Sequence, residues 1–212
     1  METTVYIVRH GETAENAANI WQGQLDTELS PIGLRQAAAV ARSLKDVPFQ
    51  AIYASDLKRA AATAAAIAAA HGLTVRPTKG LREIDVGRWS GLNYDQARER
   101  DPEAYARLMA DPVNAKRPDG ESWADLQRRV SLAFRDIAAA HVNETVCIVG
   151  HGGTIRALLA DVLQLGFESA RRLAMDNTGV TVIAGKGDRW RLRLFNDTHH
   201  IAGSVDEGKW PD

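Results

Sequence analysis

Apolar residues recur along this chain with two different periods, and the switches between them lay out its elements. Thr3-Thr4-Val5-Tyr6-Ile7-Val8 is a β-branched and aromatic run that predicts a short buried strand. Ser30-Pro31 reads as an N-cap followed by proline at the first helical position, and residues 34–44 supply the helix. Ala51–Ala54 predicts a short strand running into SDLKRAAATAAAIAAAHG, a stretch of high helix propensity that Gly72 stops. Residues 73–76 predict another short strand. Ser122 and Asp125 form a capping-box-like start, with Asp in place of the usual Glu, for a helix running to about His141. Residues 145–149 read as a further buried strand followed by a helix over 154–163. Residues 180–184 and 190–194, split by Gly185-Lys186-Gly187-Asp188, read as a terminal hairpin or a pair of edge strands. Strands alternating with helices are the mark of an α/β sheet.

Residues 86–120 break this alternation. They are rich in charge and turn residues, with Asp101-Pro102, Asp111-Pro112 and Pro118-Asp119-Gly120, and predict a helical insert projecting from the sheet. Such inserts often cover an active site.

Composition narrows the function classes. A chain of 212 residues buries a sizeable core, and one domain over 1–212 is expected. The net charge of −1 gives no global field for nucleic acid or a membrane surface, so attraction to an anion must be local. No signal peptide is apparent, and the longest apolar run is alanine-rich and interrupted, so no membrane span is expected. A single cysteine, Cys147, forms no intramolecular disulfide and fits a reducing cytoplasm. CxxC, HExxH and EF-hand patterns are absent, and neither a metal nor a cofactor is expected. Oligomeric state stays open, a homo-oligomer included.

Two strand ends carry the chemistry. YIVRHGET and CIVGHGGT are the same device used twice, a buried strand followed by His-Gly. His10 and His151 each fall just past the carboxyl end of a strand, the edge where parallel α/β sheets bind ligands. Gly11 and Gly152 let backbone approach a ligand closely. The turn after His151 opens a helix whose free N–H groups suit an anion. One such histidine alone would be read as satisfied by ordinary hydrogen bonds; the repeated context favours the functional role. Arg9 precedes His10, and Arg59 lies on the first turn of a helix that follows a strand end. Arg59 also fits a solvated helix position, yet arginine suits bidentate grip of a phosphate. Glu83 and Asp85 in LREIDVGRWSG offer a carboxyl group at the same edge, as a cap, a surface charge or a proton donor. His71 and His141 end helices, and His199-His200 are ambiguous.

Arg9-His10-Gly11-Glu12-Thr13, with Asn16, resembles the signature of the histidine phosphatase superfamily, also called phosphoglycerate mutase-like. Gln22-Gly23 resembles its phosphate-loop dipeptide. LSPIGLRQA, SDLKRAAATA, EIDVGRWSG, Gly120-Glu121-Ser122 and GHGG follow in family order, from about residue 3 to residue 203. The fold expected is a three-layer α/β/α sandwich around a mostly parallel sheet, with the helical insert over the active site. The resemblance implies His10 as the phosphoryl-accepting nucleophile, with its other ring nitrogen donating to a backbone carbonyl. Arg9, Arg59, His151 and the Gly152 N–H would surround the phosphoryl oxygens, with Asn16 as a neutral donor. Gly11, Gln22 and Gly23 complete the expected binding set, and Glu83 would be the acid and base.

Three departures separate the chain from the family's mutases. The His and Tyr of the mutase ERHYG are missing from REIDVG, Lys116-Arg117 stands where a paired-arginine segment is usual, and HGGT replaces HGNS. The resemblance therefore implies a metal-independent phosphatase of a small phosphomonoester, with a cofactor-dependent mutase and a non-catalytic phospho-ligand or phosphohistidine-protein binder as alternatives. Leaving-group choice is expected from the insert, with Arg88, Trp89, Lys116 and Arg117 as candidates that also fit ordinary surface or core positions, and from the tail after Asn196.

Overall fold

The computed structural model describes residues 2–202, so the end of the tail expected to help choose the leaving group lies outside the described residues. In chain order the elements are β1 (Thr3–Arg9), α1 (Ala14–Ala17), α2 (Pro31–Ser43), β2 (Ala51–Ala54), α3 (Lys58–His71), β3 (Val75–Pro77), α4 (Tyr94–Arg100), α5 (Pro102–Ala110), α6 (Trp123–Ala140), β4 (Thr145–Gly150), α7 (Gly152–Val162), α8 (Phe167–Ala170), β5 (Val180–Lys186) and β6 (Arg189–Asp197).

The six strands form one sheet in the order β3-β2-β4-β1-β5-β6. The pairings β2/β3, β2/β4 and β1/β4 are parallel, while β5 runs antiparallel to β1 and β6 antiparallel to β5. Period-two alternation sorts the central strands between two faces. Val5, Ile7, Val146 and Ile148 pack with Leu126, Val130, Phe134 and Leu158 of α6 and α7. Val8, Cys147 and Val149 pack with Val40, Ala64 and Ile67 of α2 and α3 on the other face. The result is the expected three-layer sandwich.

The insert has a small core of its own around Trp89, with Val86, Ala97, Ala104 and Leu108, and Trp21 stacks on it at 5.7 Å. No described helix is long and apolar enough to cross a membrane.

Sequence patterning placed the long elements and shifted their ends. α2 begins at Pro31 because the Ser30 hydroxyl accepts the Gly33 N–H at 3.0 Å. α7 begins at Gly152, with His151 itself at the N-cap position. The edge strand β3 slides to Val75–Pro77, where it pairs with Ile52–Ala54. The single turns α1 and α8 are too short to carry a period and were not anticipated.

LSPIGLRQA acquires a physical meaning here. Three of its residues clamp Glu12, two positions past His10. The Ser30 hydroxyl donates to the Glu12 carboxylate at 2.7 Å, and the Gln36 side-chain oxygen accepts the Glu12 N–H at 2.8 Å. Gly33 lies so near that a Cβ there would fall 2.0 Å from the Glu12 carbonyl oxygen. Because backbone blocks that Cβ, Gly33→Ala should cost about 1–3 kcal/mol. At about 2–4 °C per kcal/mol for a chain of this size, thermal melts should show a loss of several degrees, and an unchanged Tm would refute the contact.

Candidate active site

The sheet register builds the centre of the site. β1 and β4 pair in parallel from Thr4 opposite Thr145 to Arg9 opposite Gly150, and the His10 N–H continues the ladder to the Gly150 carbonyl at 3.0 Å. His10 and His151 are therefore the next residues of two adjacent strands. Their rings meet edge to face with centroids 5.1 Å apart, and both are buried. After β1 the chain crosses toward β2, and after β4 it crosses to β5 on the opposite side. This is a switch point of the sheet, where open α/β folds form a crevice.

His10 Nδ1 lies 2.7 Å from the Gly11 carbonyl oxygen. A carbonyl only accepts, so Nδ1 carries the proton and Nε2 keeps its lone pair. Burial, then Arg9 and Arg59, hold the His10 pKa well below the ordinary histidine value. Burial is also the main cause for His151, followed by His10, Arg59, Arg9 and Arg129. Both rings are neutral near pH 7.

Two guanidinium groups flank the pair. Arg9 comes from the end of β1, and an Arg9 Nη1 donates to the Met175 carbonyl. Burial pushes its pKa down to about 10, with Arg156 adding to the fall and Glu83 opposing it. Arg59, 1% exposed, projects from the first turn of α3. Its Nη2 donates to Gly23 O at 2.8 Å and its Nη1 to Leu25 O at 2.6 Å. The solvated-helix alternative for Arg59 is thereby removed. Among the described residues, five buried side-chain polar atoms lack any hydrogen-bond partner, and four belong here: Arg9 Nε, Arg59 Nε and both ring nitrogens of His151. Such atoms are costly unless a ligand meets them.

Glu83 closes the site from the other side. Its Oε2 accepts the Gly153 N–H of α7 at 3.0 Å and its Oε1 the Ile84 N–H at 2.8 Å. A Cβ on Gly153 would fall 2.3 Å from Oε1, so the last glycine of GHGG makes room for the carboxylate. Asp85, the other acid considered, caps the Gly87 N–H at 2.9 Å and is a turn residue.

The remaining expected residues divide. Gly152 opens α7, and its N–H belongs to the first-turn donors that a helix leaves unpaired. Gly23 has φ +52°, and a Cβ there would meet Val86 Cγ2 at 2.7 Å, so only glycine suits the loop that feeds carbonyls to Arg59. Gln22 is buried, but its side-chain oxygen accepts from the Thr27 hydroxyl at 2.5 Å, which makes it a prop of that loop. The Gly11 N–H donates to the Thr63 hydroxyl at 3.0 Å. Asn16 completes a capping box with Thr13 through its oxygen, which the Thr13 N–H reaches at 3.2 Å. Its side-chain NH2 is thereby left to serve as a donor. In the insert, Trp89 is core and donates to Asp101 at 2.9 Å, Arg88 pairs at the surface with Asp119 at 3.0 Å, and Lys116 pairs with Asp125 at 3.3 Å. These three are committed elsewhere, whereas burial lowers the pKa of Arg117 and Glu83 opposes that fall.

Sequence reading missed several contributors. Asn177 Nδ2 donates to the His10 carbonyl at 3.0 Å, and the Thr178 N–H to the Arg9 carbonyl at 3.0 Å. Thr178 holds φ +58° while fully buried, a strained setting for a β-branched residue. The ambiguous His200 reaches the Thr178 hydroxyl at 3.1 Å, while His199 is exposed beside Asp197. No local motif marked these residues, because they are distant in sequence from the RHG turn and reach it only through the pairing of β5 with β1. A groove of about 760 Å³ lies at the opposite sheet edge, between Phe134, Asp161, Lys186 and Trp190, remote from both histidines.

The lowered histidine pKa values have a consequence for stability. Below about pH 6.5 the unfolded chain takes up protons that the folded site refuses. Stability is therefore complete above that value and is lost as pH falls below it, by up to about 1.4 kcal/mol per pH unit for each ring. Denaturant melts between about pH 7 and pH 5 should show a smaller loss for His151→Asn than for the unmodified protein; equal losses would refute the cause.

Comparison with known proteins agrees with this geometry. The chain is 36% identical over 203 residues to the metal-independent phosphoserine phosphatase of Arabidopsis thaliana, covering 94% of this chain and 84% of that protein. It is 38% identical over 202 residues to phosphoglycerate mutase-like protein 4 of the same plant, covering 93% and 86%. Among solved structures, a mycobacterial glucosyl-3-phosphoglycerate phosphatase superposes with a TM-score of 0.81 at 35% identity, covering 92% of this chain and 99% of that one. Residues 5–198, which include both His-Gly strand ends, match the histidine phosphatase superfamily (branch 1), and the chain belongs to that family.

Proposed function

We propose that the protein hydrolyses a small phosphomonoester through a phosphohistidine formed on His10 Nε2. The observation that carries this reading is the buried pair of neutral imidazoles, one with its proton fixed on Nδ1, between two arginines that retain unpartnered Nε–H groups.

The phosphoryl group sits where Arg9, Arg59, His151 and the Gly152 N–H converge. These donors are in place before the reaction and oppose the charge on the three non-bridging oxygens throughout an in-line transfer. Neutral His151 brings one N–H, and an incoming dianion favours its second proton. Asn16 adds an uncharged donor. His10 Nε2 attacks phosphorus, the P–O bond to the alcohol breaks, and Glu83 gives its proton to the departing oxygen. Water then enters. Glu83 takes a proton from it, the new P–O bond forms, the P–N bond breaks, and neutral His10 is restored with release of phosphate. Fixed guanidinium charge takes the place that a cation holds in many phosphoryl transfers.

Hydrolysis is favoured over mutase chemistry by the missing His and Tyr after Arg82-Glu83 and by the glycine-rich HGGT. A mutase must keep the phosphoenzyme dry until a second hydroxyl arrives. A pure binding role would leave nucleophile and acid without a task. Turnover of p-nitrophenyl phosphate should persist in EDTA and fall by at least roughly 10³-fold in His10→Ala, since covalent catalysis needs the ring. Glu83→Gln should slow an alkyl phosphate far more than the p-nitrophenyl ester, whose leaving group needs little protonation. Loss of turnover with the chelator, or full activity of His10→Ala, would overturn the mechanism.

A further inference from the structure

The two histidines are placed by the sheet ladder, but Glu83 has no such support. It lies outside any helix or strand, between short 3-10 turns at Lys79–Leu81 and Gly87–Trp89. An irregular segment keeps one conformation only where other groups bind its peptide units. One guanidinium supplies most of that binding here. Arg129 stands on α6 beside the buried Val130, and its side chain is sheltered against the Glu83 segment.

Arg129 carries five N–H groups, and five hydrogen bonds use them. Nη1 donates to the Gly80 carbonyl at 3.0 Å and to the Arg82 carbonyl at 2.9 Å, and Nη2 to the Glu83 carbonyl at 3.3 Å. Nε and Nη2 grip the two carboxylate oxygens of Glu121 at 2.9 Å and 2.7 Å. Glu121 Oε2 in turn accepts the Asp85 N–H at 3.0 Å, and the Glu121 N–H donates to the Asp85 carbonyl at 2.8 Å. The Arg82 and Glu83 carbonyls belong to the two peptide planes that meet at the Glu83 Cα. Holding both planes fixes φ and ψ of Glu83, and so the direction of its Cα–Cβ bond. Gly80 lets this segment lie close to α6, since a Cβ there would fall 2.6 Å from Ala133 Cβ. The Thr154 hydroxyl also reaches the Arg82 carbonyl at 3.0 Å, and Gln24 Nε2 the Glu83 carbonyl at 3.3 Å. Each of these is a single neutral contact on one plane, whereas Arg129 makes charge-assisted bonds to both.

We propose that Arg129, braced by Glu121, is a positioning residue that aims the Glu83 carboxyl group at the oxygen leaving phosphorus. This rests on the acid role given to Glu83 above. With every N–H committed, the guanidinium has none left for a substrate. The bidentate pairing with Glu121 offsets its charge, so its effect is one of geometry. Lysine in its place would keep the charge but bring three donors without the planar fork.

Phenyl phosphate and p-nitrophenyl phosphate test this, because they differ chiefly in how basic the departing oxygen is. Arg129→Gln should lower kcat/KM for the phenyl ester roughly tenfold more than for the p-nitrophenyl ester, since a misaimed acid matters most to the more basic leaving group. The turnover of p-nitrophenyl phosphate that remains shows that the chain is folded. Arg129→Lys should separate the esters as the glutamine variant does. Added to Glu83→Gln, Arg129→Gln should lower kcat/KM for the phenyl ester by less than about threefold further, because no acid is left to aim. Equal losses on both esters would reduce Arg129 to a structural prop, full recovery with lysine would make it a source of charge, and an undiminished loss in the Glu83→Gln background would place its effect elsewhere. Each of these overturns the proposal. Should Arg129→Gln fail to fold, Glu121→Gln, which keeps the side-chain length and removes the ion pair, gives the same comparison. If Glu83→Gln itself treats the two esters alike, the acid role falls first. If it separates them and Arg129→Gln does not, the positioning role alone falls.

Discussion

The parallel register of β1 against β4 is the constraint on which the site depends. It sets Arg9 opposite Gly150 and so places His10 and His151 side by side at one sheet edge. A slip of one residue would turn Val5 and Ile7 from the α6–α7 face to the α2–α3 face and carry the histidines out of step. The hydrophobic alternation that makes the strands is thus the same feature that aligns the two rings. Core packing and site geometry are not separable here.

Around that pair lies a shell whose task is to hold backbone. Ser30, Gly33 and Gln36 fix Glu12, and Thr63 receives the Gly11 N–H while donating to the Arg59 carbonyl at 2.8 Å. Asn177 and Thr178 bind the carbonyls of Arg9 and His10 from the β5 side. The RHG turn is therefore gripped from α2, α3 and the loop before β5 at once. Such over-determination allows a buried threonine at positive φ to persist next to the reacting groups.

Electrostatics follow from burial. The rings lose their charge because water is excluded and two cations stand close, and the same exclusion strengthens the attraction of those cations for a phosphoryl group. Glu83 is held by two backbone N–H groups, one of them from the helix that His151 caps. His10, the two arginines and Glu83 are thereby referred to a common frame, the ends of β1 and β4 and the first turn of α7. Chemistry that needs accurate separation between reacting groups gains from that rigidity.

The chain's own pattern determined the α/β class, the positions of the long elements and the candidate residues that the fold brings together at the sheet edge. Periods of two and of about four residues, glycine after histidine, and a capping box are all local, so they can be read without folding the chain. Arg9, His10, Glu83 and His151 were legible in this way, and Arg59 through the motif that carries it. Asn177, Thr178 and His200 were not, since nothing in their neighbours distinguishes them. Trp89, Arg88 and Lys116 looked equally suited to a pocket, yet tertiary packing sent one into the core of the insert and the other two to surface carboxylates. Choosing among similar side chains is a matter of which charges lie within a few ångströms after folding, and that distance is set by strand order and helix placement, which sequence spacing does not contain.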